Sequence, residues 1–168
     1  AGAVFMVVAG SALHFAFGWV DGWRPMALVA AVNESIWEHL KLAFWPGMAW
    51  TLGQRIASPE ETRDIWPVKG VSLLVMAALI VTIFESYTTI LGENRLLLDI
   101  GTFVVAVTAG QALAAWMRIR SVGTRPLAWT GRALLLAQLA AYSLFTYFPP
   151  DLWLFVESAT GLRGIPTP

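Results

Sequence analysis

Five long apolar stretches, broken by proline and glycine, leave this chain few ways to fold. They run near residues 2–20, 35–52, 70–91, 96–117 and 128–148. Each comes close to the about 20 helical residues that cross roughly 30 Å of hydrocarbon. Hydrocarbon leaves no backbone group unpaired, and none of the stretches alternates with a strand period, so helices are the expected spanning element. The breaks fall at Gly22 and Pro25, Gly53 and Pro59, Pro67, Gly92, Gly123 and Pro126, and Pro149 and Pro150. Residues 21–33 contain MALVAAV, too short to span, and read as an interfacial or re-entrant piece. The expectation is a single domain over residues 1–168: an all-α polytopic transmembrane helix bundle of five spans with a tail at 149–168.

The composition agrees, with 57% hydrophobic and only 13% charged residues. Net charge is zero, which offers nothing to nucleic acid. Cysteine is absent, so disulfides, thiolate metal sites and cysteine nucleophiles are excluded. The chain opens on AGAVFMVVAG, without an initiator Met and already in an apolar run, which leaves the true N-terminus open. No cleavage pattern follows, so this run is expected to be a span and not a signal peptide. No internal repeat, G-x-S-x-G, P-loop, dinucleotide fingerprint or H-E-x-x-H occurs.

Orientation follows from the basic residues. Arg55, Arg63 and Lys69 follow the second stretch, and Arg118, Arg120, Arg125 and Arg132 follow the fourth. The opposite side holds only Arg24, Arg95 and Arg163. This places the N-terminus in the cytoplasm of a bacterial inner membrane and the tail outside. Each acidic residue within or next to a span then falls in the outer leaflet. His14, Glu34, Glu38, His39, Glu85 and Asp99, with Asp151 and Glu157 after the fifth stretch, are expected to converge there on a shared cavity, because embedded ionisable groups are costly unless paired or wet.

Most of these groups sit in one run, NESIWEHLK at 33–41. Ser35 followed by Glu38 fits a capping box, and Asn33 is an equally good N-cap. In a helix, Glu34, Glu38 and Lys41 share one face and Ser35 and His39 the next. A well-capped helix with a Glu38–Lys41 ion pair accounts for part of the run. It leaves His39 unexplained, and a Lys41 set well into an apolar span.

His14 admits three readings. It hydrogen-bonds Glu85 or Asp99 across the bundle. Alternatively, it joins His39 and Glu38, with Glu85 or Asp99 as a further ligand, in a zinc or iron site with an open position. Or, with Gly10 four residues earlier leaving room for a flat macrocycle, it ligates a chlorophyll-type pigment or haem. Among the aromatics, Trp19, Trp23, Trp45, Trp66, Trp116, Trp129 and Trp153 lie near helix ends, as in an interfacial belt. Trp37 inside the polar run is expected to pack. Gly101 and Gly110, with Ala109 and Ala114, permit close contact along the fourth span.

NESIWEHLKLAFWP resembles the signature of a family of uncharacterised bacterial integral membrane proteins that carry NES-x-WEHLK followed by an aromatic and a proline. FTYFPPDLWLFVESATGLRGI is similar to that family's ending, departing from it at Glu157 and Arg163. The resemblance brings no established activity. It implies that the polar run and the outer tail belong to one design.

Two functions from different classes follow. The first is a non-catalytic accessory or scaffold subunit of a larger membrane assembly, respiratory or photosynthetic, with lipid and other membrane subunits as partners. The second is an intramembrane metal-dependent hydrolase acting on a lipid-like substrate at the outer leaflet. In it the histidines bind metal and Glu38 or Glu34 is the general base for a bound water.

Overall fold

The computed structural model describes residues 1–62, 64–120 and 125–166. The helices are α1 (Gly2–Trp19), α2 (Ile36–Ala57), α3 (Ile65–Leu91), α4 (Leu96–Ile119) and α5 (Arg125–Leu144), with short 3-10 turns at Arg24–Leu28 and Trp153–Phe155. Among the described residues there is no strand beyond an isolated bridge between Val156 and Arg163. Helices α1, α3 and α4 are long and apolar enough to cross a membrane. α2 is long enough but carries Glu38, Lys41 and Arg55, and residues 36–47, which hold the first two, are mostly buried against the rest of the chain. A helix surrounded by protein does not need an apolar surface.

Packing alternates up and down. α1 lies on α2 and α4, and α3 lies on α2, α4 and α5. Met6, Phe44, Leu73, Met76, Val107 and Tyr142 meet in the centre. Outward faces are apolar too, with Val4, Val8 and Phe15 on α1 and Leu97, Ile100 and Val105 on α4 exposed. Trp19, Trp23 and Trp153 are exposed at one end of the bundle, and Trp116 and Trp129 at the other. Trp45 and Trp66 are half-buried.

Prolines end fewer helices than their positions suggest. α3 starts at Ile65, so Pro67 lies in its first turn, where the N–H it lacks has no helical partner in any case. Pro46 sits inside α2, which continues to Ala57. Lacking an N–H, Pro46 leaves the Leu42 carbonyl without its usual partner. α1 packs against that carbonyl: a Cβ built on Gly10 would stand 2.7 Å from Leu42 O and 2.8 Å from the Phe103 ring. The helices run antiparallel, so one turn further out this contact sets His14 opposite His39. A second close approach joins α3 to α5, where a Cβ on Gly70 would fall 1.8 Å from Gly131 O. Gly110 packs under Met76, whereas Gly101 faces open space and brings no helix close.

Gly10→Ala is therefore expected to destabilise the bundle by about 1–3 kcal/mol, the usual range for overpacking, and to move α1 off α2. Thermal unfolding in detergent measures it. Unchanged stability would mean that the helices are not in backbone contact at Gly10.

Residues 21–33 fold back over one end of the bundle. Asp21 and Gly22 both take positive φ, at 51° and 73°, to turn the chain after α1. Ala27 and Ala30 are then fully buried. The tail closes the same end. Trp37 packs in tilted contact with Tyr142, Phe145 and Phe155 at centroid distances of 4.9, 5.7 and 4.5 Å, which pins the tail to the first turn of α2.

Candidate functional site

The NESIWEHLK run divides between two environments. Glu38 and Lys41 turn inward. Their ion pair measures 2.7 Å, with side-chain exposures of 2% and 0%. Lys41 Nζ also donates to Ala27 O at 2.7 Å and to Thr146 Oγ1 at 2.8 Å. Glu38 accepts from the Val32 N–H at 3.0 Å and from Thr146 Oγ1 at 3.1 Å. The pair thus clamps the 21–33 segment and the end of α5 to α2. No capping box forms. Ser35 is the N-cap without a side-chain cap bond, and its own N–H is taken by Asn33 Oδ1 at 2.9 Å. Glu38 is drawn to Lys41 instead, because a buried ammonium needs a counter-charge more than the helix start needs a second cap.

Glu34 and His39 turn the other way and meet His14. Glu34 precedes α2, so it does not share the Glu38–Lys41 face. His14 Nε2 and His39 Nε2 are 3.2 Å apart. Glu34 Oε2 lies 3.5 Å from the first and 3.4 Å from the second. His39 Nδ1 is 2.8 Å from Ser35 O. A carbonyl can only accept, so the Nδ1 proton points there and the Nε2 lone pair faces the trio. His14 has no such support, since its Nδ1 is buried without a partner. Among the described residues these three form a group able to hold one metal ion. Glu34 is held well below the usual carboxylate range, first by its bond to His14 and then by His39.

The other expected residues lie elsewhere. Asp99 accepts from the Tyr87 hydroxyl and, at 3.4 Å, from Asn94. Glu85 is half-buried on α3 and does not join the trio. The side of α1 beside Gly10, where a macrocycle would lie, is taken up by Leu42 O and Phe103.

An open cleft of about 360 Å³ adjoins the trio, lined by His14, Phe15 and Phe17 of α1, by Val32 and Glu34, and by Glu157 of the tail. Glu157 Oε1 accepts the Glu34 N–H at 3.1 Å, and its other oxygen accepts from the Thr160 hydroxyl. Asn33 Nδ2 donates to Gly164 O at 2.8 Å. The tail thereby fixes the backbone from which Glu34 reaches the histidines. The sequence points to Glu34 as a base and gathers Glu157 at the same end without giving it a role in the site. Only the tail's path across α2 reveals that role.

Residues 1–165 match the model of a family of unknown function, DUF6512. The chain belongs to that family. No curated protein and no solved structure matches it. For this DUF6512 chain, function has to be argued from the site itself.

Proposed function

We propose that this chain is a five-span protein of a bacterial inner membrane that binds one zinc-type cation through His14, His39 and Glu34 and uses it for hydrolysis. The spacing of the three donor atoms carries the reading. Zinc sits about 2.0–2.1 Å from histidine nitrogen and about 2.0–2.2 Å from carboxylate oxygen. Neighbouring corners of such a tetrahedron stand roughly 3.3–3.5 Å apart. The separations here are 3.2, 3.4 and 3.5 Å. Three protein ligands leave one corner free, the pattern of catalytic and not structural zinc, and the adjoining cleft gives that corner access.

A zinc in this position would lower the pKa of a bound water to about 7. Glu34 is a ligand in this scheme. Glu38 is committed to Lys41, so Glu157 is the cleft carboxylate available to take the proton. A scaffold subunit has no use for two histidines and a carboxylate grouped beside an open cleft that His14 and Glu34 line, which favours the hydrolase reading. The basic loops at the far end of the bundle support a cytoplasmic N-terminus and an outward-facing site. The two tryptophan girdles and apolar flanks support the membrane setting.

Zinc titration of purified, chelator-stripped protein tests this, with binding of one equivalent expected and no saturable binding sinking the idea. The pH dependence is a second check. Glu34 has a depressed pKa, so its attraction to the histidines is present above the ordinary carboxylate value of about 4.3 and persists well below it. Acid release of zinc therefore has to come from protonation of the histidines. Release complete before carboxylates titrate, at about 4.3, is expected by metal-indicator assay. Release only below pH 4 would show that the histidines are not ligands.

A further inference from the structure

We infer that the cleft admits an amphiphile whose reacting group is uncharged, a carboxylic ester or amide on an acyl chain, and rejects phosphoesters. This rests on the zinc reading above and adds the substrate class. The argument is one of charge and surface.

The end of the bundle that carries the cleft holds eight of the chain's eleven acidic side chains, from Asp21 and Glu34 to Asp151 and Glu157, and four of its eleven basic ones. Three of those four are already engaged: Lys41 with Glu38, Arg95 with Glu93, and Arg163 with Asp151. The fourth, Arg24, does not line the cleft, and among the described residues neither does any other Lys or Arg. Sites that take phosphate groups supply Arg, Lys or a run of backbone N–H groups to the anion. Here the lining supplies two carboxylates, and one nearby N–H, that of Glu34, is already given to Glu157. A divalent cation balanced by Glu34 and Glu157 leaves the cleft formally neutral. A phosphodiester would add an uncompensated negative charge beside Glu157, whereas an ester carbonyl adds none.

α1 gives the cleft an aromatic wall. Phe15 and Phe17 line it, and Phe15, 58% exposed, stacks on Trp19 at the outer rim of α1. α1 is the most exposed of the three long apolar helices. The cleft therefore has an apolar flank continuous with the outward-facing surface of α1, suited to an acyl chain. The hydrolytic step adds water across the acyl bond, releasing a carboxylic acid and an alcohol or amine, with the proton passing through Glu157 to the leaving group.

The test uses the full chain in phosphatidylcholine nanodiscs, with zinc occupancy measured first. Two zinc-binding probes of equal chain length are compared, neutral dodecanohydroxamic acid and anionic dodecylphosphonic acid, along with acetohydroxamic acid, which has no chain. The long hydroxamate is expected to bind at least tenfold tighter than either of the others. In Glu157→Gln, whose amide oxygen still accepts the Glu34 N–H, the phosphonate should gain several-fold relative to the hydroxamate, which loses the carboxylate that takes its proton. Phosphonate binding as tight as the hydroxamate overturns the charge argument, and equal binding of the short hydroxamate overturns the acyl argument. Stoichiometric zinc with no binding of either long probe overturns the substrate class and leaves the metal site standing. Absence of zinc overturns both.

Discussion

Lys41→Met is expected to destabilise the bundle by about 3–5 kcal/mol, the range for removing one partner of a buried ion pair. The loss comes mainly from what remains. Glu38, 2% exposed, would keep only the Val32 N–H and the Thr146 hydroxyl, and the Ala27 carbonyl would lose its donor. Removing the partner charge as well should restore much of the stability, because a buried pair replaced at both ends is often nearly neutral. Thermal unfolding in detergent of Lys41→Met against Lys41→Met with Glu38→Leu decides it. If the single variant is no worse than the double, the pair is not the uncompensated charge described. Val32 lines the cleft and is held by Glu38, so the single variant should also weaken zinc binding.

The second large effect is at the trio. His39→Ala is expected to reduce zinc affinity by more than about 100-fold, beyond the 10–100-fold that loss of a mere supporting residue produces. It should barely move the unfolding temperature of zinc-free protein, because the His39 side chain is 32% exposed and its contacts to His14 and Glu34 are those of the metal site itself. Competition against a zinc chelator reads the first quantity and unfolding of stripped protein the second. Loss of stability without loss of zinc would make His39 a packing residue. Wild-type zinc affinity in His39→Ala would remove the site altogether.

Much of the helical architecture was legible in the chain. Apolar runs of about 20 residues can do little but form helices in a low-dielectric setting, so each of the five expected stretches corresponds to a helix. Their ends were less legible. Proline was read as a break at Pro67, yet it fits a first turn, and Pro46 is tolerated inside α2 where Gly10 fills the gap. The gathering of polar groups at one end also followed from sequence, since alternating helices bring the end of α1, the start of α2 and the tail together.

What the sequence by itself determined is the set of helices, the polarity of the two ends and the short list of groups that could meet. Hydrophobic length and charge are properties of segments, and they survive without knowing the neighbours. Which groups meet was decided only by tertiary structure. Glu34 and Glu38 are four residues apart in one polar run, and helical periodicity put them on one face. α2, however, begins at Ile36, leaving Glu34 free to turn towards His14 while Glu38 is buried against Lys41. Thr146 and Glu157 complete the two clusters from more than 100 residues away. Contacts of that kind depend on where a helix starts and how closely two backbones approach, and a one-dimensional pattern does not encode either.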